Sequence, residues 1–478
     1  MINNMVKVKT IVLLFCLFVS PNLFCQKPVV DERFELTGIA FQLTGIKGLV
    51  QQEPEIYVAD INQYFKRHKN HELIVFLEKT IREKSEFSLS LIAELASDIE
   101  FNRNAIVYSS DYVTNYNSND YGKSAVDWTK DELEEYLRLL NKFYKETDFH
   151  TFYQAHKKYY DKIEDYYQTL IYQIDTAWFN SFFGYTLNIE NVWISPSFGV
   201  HNFELTRYDN SEHPHYGCVL GHTSSDSLGN PIFNERQIRI LTHEIMHNYT
   251  NSICAKHKKD FQPVCDSIYA YVGNALGSNY YGSSSDILFE GINRLCEHSY
   301  YKDHDIYDAE WMNSMIARDE RDGFVWMSEM LSFLEQFHSR RNQFPTFDSF
   351  MPQLVGFLQH VHTNMKIYYL PKLQMAAPCV LYAFPAFGST MDTIVDHLEI
   401  VFSQPMFTNY FFVKNVTDGK ASPLPIDFDN IYWKNAHTYV LPFSEPLKAH
   451  TKYGFRVINA ISANHIQTIP YDLIFETK

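Results

Sequence analysis

Residues 238–247 have the sequence Ile-Arg-Ile-Leu-Thr-His-Glu-Ile-Met-His, and this stretch decides how the chain is interpreted. Apolar residues recur in it at helical spacing, which predicts a helix packed on a core: Ile238, Leu241, Ile245 and Met246. On that helix His243 and His247 lie one turn apart on the same face. Both can therefore direct a ring nitrogen at a single zinc ion.

Glu244 lies beside this predicted metal site. From there its carboxylate can take a proton from a zinc-bound water, the arrangement used in metal-assisted hydrolysis of amides. Three fixed residues also occur by chance, in helices whose histidines are solvated or bonded to neighbours. Asn234 as an N-cap and a stop at Asn251–Ser252 favour a true helix, over about residues 235–250.

A catalytic zinc needs a third protein ligand and an open fourth position. The metzincin pattern would place a glycine at position 250 and a histidine at position 253. This chain has Thr250 and Ile253, so that pattern is excluded.

A second predicted helix, near residues 286–298, can supply a glutamate instead. Glu290 is the preferred ligand because its neighbours are apolar, whereas Glu297 and His298 are rivals beside a polar run. An ion pair between Glu290 and Arg294, four positions apart, is the other interpretation, and both can hold if the arginine orients a liganding carboxylate.

The HExxH sequence followed by a glutamate-bearing helix resembles the gluzincin clan of zinc peptidases. The chain looks more closely like a secreted bacterial family of unknown function with the same zinc motif, over about residues 30–375. Three stretches carry that likeness: residues 148–160, 192–197 and 290–294. The resemblance implies a zincin-like fold and one Zn²⁺ held by His243, His247 and Glu290, with Glu244 as general base.

One position departs from the thermolysin-like pattern, which has an acidic residue four positions after the liganding glutamate. Here that residue is Arg294, so the groups that orient the ligands must differ. The donor that stabilises the transition state cannot be carried over either. Candidates for it, each also readily explained as an ordinary core or surface residue, are His298, Tyr300, Tyr301, His215 and His222.

The N-terminus predicts export. Lys7 and Lys9 precede an apolar run at residues 11–19 that is too short to span a membrane and suits a signal peptide covering residues 1–25. Cleavage after Cys25 is expected, and a lipid anchor at that cysteine is the alternative. A secreted, periplasmic or cell-surface protein without a transmembrane segment is therefore predicted.

Composition narrows the classes of partner and the cysteine chemistry. The chain has 478 residues, 45% of them hydrophobic, and a formal net charge of −16. That charge argues against nucleic-acid binding, because phosphate contact needs a positive surface. Cys254 and Cys265 are expected to flank a short loop after the zinc helix, where they form either a disulfide or two buried thiols.

The pattern along the chain predicts an α+β protein. Residues 26–180 are mainly helical and belong with residues 181–382 to one helix-rich zincin-like domain with a small sheet. The resemblance to zinc peptidases implies that Tyr216–Gly221 is the edge strand that binds extended substrate. Residues 383–478 alternate short strands and turns. They resemble a bacterial Ig-like sandwich that spaces or docks the enzyme, on the stretches 402–406, 444–457 and 475–477.

These expectations combine into one function. A secreted zinc metallopeptidase that hydrolyses peptide bonds in a protein or peptide substrate is predicted, with Glu244 activating the water and protonating the leaving amine. The alternative is a non-catalytic cell-surface protein that keeps a zinc site for binding.

Overall fold

A computed structural model describes residues 27–478 with several gaps. The gaps are residues 47, 85–86, 104, 110–127, 210–212, 234, 279–280, 305–306, 409–412, 416–420, 458–459, 464–465, 467 and 469–470. The predicted signal peptide (residues 1–25, with Cys25) and the N-cap predicted at Asn234 therefore lie outside the described residues. Within the described part of the chain, no helix has both the length and the apolar content needed to cross a bilayer.

The chain divides into two compact units, Met1–Ile245 and Met246–Lys478. The first contains the predicted helical region, whose helices are α1 (Glu32–Gln42), α2 (Glu55–Tyr64), α3 (Glu72–Glu83), α4 (Ser90–Ser97), α5 (Lys130–Glu146), α6 (Phe149–Ala155), α7 (Lys157–Ile171) and α8 (Thr176–Phe183). Side chains set the ends of several of them. Thr129 and Glu132 form a capping box at the start of α5, and Gly184, at φ 88°, ends α8 in a left-handed conformation.

Two sheets accompany these helices. Their strands are β1 (Ile99–Asn102), β2 (Ala105–Tyr108), β3 (Ile189–Ser195), β4 (Asn202–Glu204), β5 (Arg207–Tyr208) and β6 (Pro214–Gly221). Strands β1 and β2 form an antiparallel hairpin. In the larger sheet β6 pairs with β3 in parallel and with β4 and β5 in antiparallel fashion. The predicted small sheet is therefore present.

The prediction that Tyr216–Gly221 is an edge strand is wrong. The segment is a strand, within β6, but it lies between β3 and β4. Its residues from Gly217 to Gly221 are all buried, and Cys218, Val219 and Leu220 have no exposed surface. Such a run with both sides paired is typical of an inner strand, and its backbone groups are already used by its neighbours.

Helix α9 (Glu235–Ser278) carries the two histidines and is much longer than predicted. The stop expected at Asn251–Ser252 is wrong, because the helix continues through Pro263. The physical reason is a buried apolar stripe that persists beyond the polar pair. Its buried members beyond that point include Ile253, Phe261, Val264, Ile268, Val272 and Leu276.

The unbroken length of α9 also decides whether Cys254 and Cys265 can form a disulfide. Cys254 and Cys265 both lie within α9, eleven positions apart, so their Cα atoms are separated by about 16 Å at the helical rise. A disulfide needs Cα atoms within about 7 Å. Both residues are buried free thiols, so of the two alternatives the disulfide is wrong and the pair of thiols is confirmed. The loop expected between them is replaced by continuous helix.

The second unit continues with the helices α10 (Ser285–Asp303), α11 (Ala309–Asp322), α12 (Met327–Ser339), α13 (Phe347–Asn364) and α14 (Leu370–Ala376). A π-helical turn at Met365–Tyr369 joins the last two. Helix α10 contains the predicted second zinc helix, and its segment Ile287–Tyr301 is mostly buried.

The C-terminal part of the unit is all β. Its strands are β7 (Val380–Phe384), β8 (Thr390–Met391), β9 (His397–Phe402), β10 (Val413–Asn415), β11 (Tyr432–Asn435), β12 (Thr438–Pro442), β13 (Lys452–Val457) and β14 (Tyr471–Thr477). They form two four-stranded sheets in the orders β11-β12-β9-β7 and β10-β13-β14-β8. Both sheets contribute to one apolar cluster, which includes Ile400 and Leu441 from the first and Phe455 and Phe475 from the second. The α+β class is confirmed.

Candidate metal centre

Helices α9 and α10 are held in register by a buried polar contact. The Thr250 hydroxyl donates to Asn293 Oδ1 at 2.8 Å, and both side chains are completely buried. The Cys254 thiol donates to the Leu288 carbonyl at 3.7 Å, further along α9. Thr250 follows His247 by three positions, and Asn293 follows Glu290 by three. This contact therefore lies about one helical turn from each of the two predicted ligands.

The three predicted zinc ligands come together. One donor atom from each of His243, His247 and Glu290 lies within 4.8 Å of the others. His247 Nε2 is 3.3 Å from Glu290 Oε1, and the two side chains are 9% and 21% exposed. Two imidazoles and one carboxylate converging in this way are the donor set of a catalytic zinc site.

A further contact prepares His247 for a metal. Its Nδ1–H donates to the Asn251 Oδ1 atom at 3.2 Å, one turn further along α9. This hydrogen bond places the ring proton on Nδ1, which leaves the Nε2 lone pair directed towards Glu290. Ligating histidines almost always donate their second ring nitrogen to such a partner. The residues of the site therefore fit a zinc ion.

Glu244, the predicted general base, is buried and interacts electrostatically with a cysteine of the small sheet. Its side chain is only 7% exposed, and it lies within electrostatic range of the Cys218 thiol on β6. Burial raises the pKa of that thiol well above its usual value, and the negative charges of Glu244 and Glu204 raise it further. The thiol is thus a neutral neighbour for the Glu244 carboxylate.

The rival ligands have other partners. Glu297 accepts a hydrogen bond from the Tyr301 hydroxyl at 2.7 Å, and His298 Nε2–H donates to Asp319 Oδ2 at 2.6 Å. Glu290, in contrast, faces His247. The local argument from apolar neighbours therefore selected the residue that lies at the metal group.

The residues suggested as transition-state donors are also engaged elsewhere. His215 Nδ1–H donates to Glu190 at 2.8 Å, and this contact raises the pKa of the imidazole. His222 Nε2–H donates to the Ser224 carbonyl at 2.9 Å, while burial lowers its pKa to about 4. Tyr300 is 1% exposed and Tyr301 is bound to Glu297. None of these five residues belongs to the metal group found among the described residues.

Sequence reasoning missed the partners of Arg294. Its Nη1 donates to Asp319 of α11, and its Nη2 donates to the Tyr281 hydroxyl at 2.5 Å. The guanidinium carbon lies 5.2 Å from the centroid of the Phe324 ring. Neither Asp319 nor Tyr281 stands at a helical spacing from Glu290 that would identify it, so no signal in the sequence pointed to them.

Comparison with protein families finds one family model that matches most of the chain. Residues 35–357 match the model described as "Domain of unknown function (DUF4932)". The chain belongs to this family. Helices α2 to α12 and the candidate metal centre lie inside the matched range, which begins within α1 and ends within α13. No curated protein matches the chain.

Comparison with solved structures finds bacterial S-layer proteins. The structure titled "Crystal structure of the S-layer protein rSbsC(31-844)" is 15% identical in sequence, with a TM-score of 0.14. The match covers 54% of this DUF4932 chain and 35% of the S-layer chain. That of surface layer protein SbsC, domains 1–6, is 15% identical with a TM-score of 0.14, covering 50% and 33%. The chain thus spans about a third of the length of these proteins, and scores this low assign it no fold.

Proposed function

We propose that this protein is an exported zinc-dependent peptidase. The observation that carries the proposal is the convergence of His243, His247 and Glu290 within 4.8 Å, with Glu244 beside the first ligand on α9. The His247 contact with Asn251 adds support, because it holds the imidazole in the tautomer that binds a metal through Nε2.

The residues have distinct parts in the proposed reaction. His243, His247 and Glu290 would hold the zinc, which when bound supplies a Lewis acid that polarises a carbonyl and acidifies a water. Glu244 accepts the proton of the attacking water on its carboxylate and then delivers it to the nitrogen of the leaving amine. Its burial at 7% exposure keeps competing solvent away from this carboxylate.

We also propose a zincin-like architecture for residues 26–382 and an Ig-like docking module for residues 383–478. The small mixed sheet of β3, β4, β5 and β6 supports the first. Two four-stranded sheets around one apolar cluster, in a segment without cysteine, support the second. Neither assignment adds a residue to the chemistry.

The test combines metal analysis with Glu244→Gln in the full chain. The variant should retain stoichiometric zinc and lose hydrolysis of an undirected peptide library by about 10²- to 10⁴-fold, because only the proton transfer is removed. Glu55→Gln, at an exposed glutamate on α2, is the control and should leave the rate unchanged.

Two results would reject the proposal. Wild-type protein that contains no zinc would remove its basis, and Glu244→Gln protein that cleaves peptides at the wild-type rate would remove the assigned base. Wild-type protein with stoichiometric zinc and no hydrolysis of any library peptide would instead favour the non-catalytic surface-binding alternative.

A further inference from the structure

One face of α10 carries a row of ionisable side chains that begins at the candidate ligand Glu290. Glu290, Arg294 and His298 follow one another at four-residue intervals, so their side chains lie one helical turn apart. Arg294 is only 9% exposed and His298 only 1%. A buried guanidinium requires a counter-ion, because an unpaired charge in the protein interior is strongly destabilising.

Arg294 has two acidic residues within reach that could serve this purpose. The first is Asp319 of α11, which its Nη1 contacts directly. The second is Glu290, whose charge also stabilises the arginine and which stands in the i,i+4 relation that forms helical ion pairs. Asp322 is a weaker third contributor, with a pKa that burial raises to about 6.

Of these carboxylates, Asp319 accepts the hydrogen bond from the Arg294 guanidinium. Asp319 is 1% exposed and accepts two hydrogen bonds, from Arg294 on Oδ1 and from His298 on Oδ2. Burial alone would raise its pKa, but Arg294 and His298 hold it well below the usual range. The second guanidinium nitrogen is taken by the Tyr281 hydroxyl. The arginine is therefore anchored on the side of α11 and Tyr281.

We propose that Asp319 is a positioning residue that acts as the alternative counter-ion for Arg294, and so keeps this arginine from capturing the Glu290 carboxylate needed by the metal. The inference rests on the zinc-binding part of the proposed function and needs no hydrolysis. Without Asp319, the desolvated guanidinium would turn to Glu290, one turn away on its own helix. An arginine bound to that carboxylate competes with the zinc for the same oxygen atoms.

The experiment measures zinc affinity by competition with a chromogenic chelator, using the full-length mature chain. Asp319→Asn should weaken zinc binding by about 10- to 100-fold, the range typical for groups that support metal ligands. The double variant Arg294→Met with Asp319→Asn should recover affinity to within about threefold of wild type. This recovery is expected because the competing cation is gone and a matched apolar chain replaces a buried pair at little cost.

The chain offers a matched control in Asp348 of α13. This aspartate also bridges a cation and a histidine, accepting from Lys256 Nζ at 2.5 Å and from His257 Nε2 at 2.7 Å. It lies away from the three ligands in sequence, on a helix that contributes none of them. Asp348→Asn should leave zinc affinity unchanged. A loss equal to that of Asp319→Asn would show that removing any such bridge perturbs the site.

Recovery of zinc affinity in the double variant distinguishes a positioning role of Asp319 from a general structural role. If the double variant binds zinc as weakly as Asp319→Asn, or if Asp319→Asn binds as tightly as wild type, the proposal is wrong. Should Asp319→Asn fail to fold, Arg294→Met alone decides: retained affinity supports the proposal, whereas a loss would mean that the arginine orients Glu290 directly. Zinc binding without peptide hydrolysis would count against the proposed peptidase and leave this inference standing.

Discussion

Two buried carboxylates show how differently the chain uses the same functional group. Glu35 on α1 has no exposed surface and is surrounded by donors: the hydroxyls of Tyr57 and Ser195 and the backbone N–H of Ser197. Glu290 on α10 faces His247, whose second ring nitrogen is already used. The first carboxylate is satisfied by donors of the protein, whereas the second lies 3.3 Å from the His247 Nε2 atom in a group that could hold a metal ion.

The difference teaches how a structural acid is distinguished from a ligand. Hydroxyl and amide donors satisfy a buried carboxylate without a cation. Two imidazole nitrogens and a carboxylate oxygen that lie this close together offer a cation three ligand atoms. Glu35 therefore belongs to the packing of the first unit, and Glu290 to the candidate metal centre. The comparison can be tested by removing each carboxylate in turn.

The largest effect is expected at the metal group. Glu290→Gln removes a charged ligand while keeping the side-chain shape, so zinc affinity should fall by more than the about 10- to 100-fold typical of supporting residues. Chelator competition measures the change, and Glu297→Gln on the same helix serves as the control. Equal losses in the two variants would transfer the ligand role away from Glu290.

A large effect of another kind is expected at Glu35. Glu35→Leu leaves the donors of Tyr57, Ser195 and Ser197 without their acceptor. Each buried group left unsatisfied costs about 1–3 kcal/mol. Because the Tyr57 and Ser195 hydroxyls also contact those of Tyr160 and Ser197, the free energy of unfolding should fall by about 1–3 kcal/mol. Denaturant unfolding measures it, with Glu55→Leu as the exposed control. Zinc affinity of the folded protein should not change, and a loss of zinc would erase the contrast between the two carboxylates.

The smallest effect concerns the pH dependence of stability. Burial raises the pKa of Glu35, although its hydrogen bonds from Ser195, Tyr57 and Ser197 act in the opposite direction. The folded chain thus binds this proton more tightly than the unfolded chain. The stability contribution is full below the unfolded-state pKa of about 4.3 and falls as pH rises through the folded-state value.

Glu35→Gln removes this titration. The unfolding free energy of wild type minus that of the variant should therefore decrease as the pH is raised from about 4 towards 7. Unfolding curves at several pH values give the difference directly. A difference that grows with pH would mean that the folded state stabilises the charged carboxylate, contrary to the burial argument.

Much of the candidate metal centre was predictable because its spacing is local. A four-residue interval on a helix places His243 and His247 on one face whatever surrounds them, and an apolar environment favoured Glu290 over Glu297. The long-range support was not predictable. Thr250 meets Asn293, and Arg294 meets Asp319, through the packing of α9, α10 and α11, which leaves no periodic trace in the chain.

The errors share one physical origin. The expected helix stop after His247 relied on polar residues, but the apolar stripe beyond Ile253 continued to pack and α9 extended to Ser278. The expected edge strand at Tyr216–Gly221 relied on the resemblance to zinc peptidases, but pairing with β3 and β4 placed it inside the sheet. Local preference is weak compared with tertiary burial, so boundaries and edges followed the packing.

The sequence by itself determined the α+β class, the strand-rich C-terminal segment and the two histidines that share a helical face, because each depends on the short repeat of a helix or strand. Only the tertiary structure decided that Glu290 reaches His247, that Asn251 sets the imidazole tautomer and that Asp319 takes the charge of Arg294. Two of these contacts join different helices, and the third depends on a rotamer that the packed site selects. The free energy of such contacts comes from burial shared between distant segments.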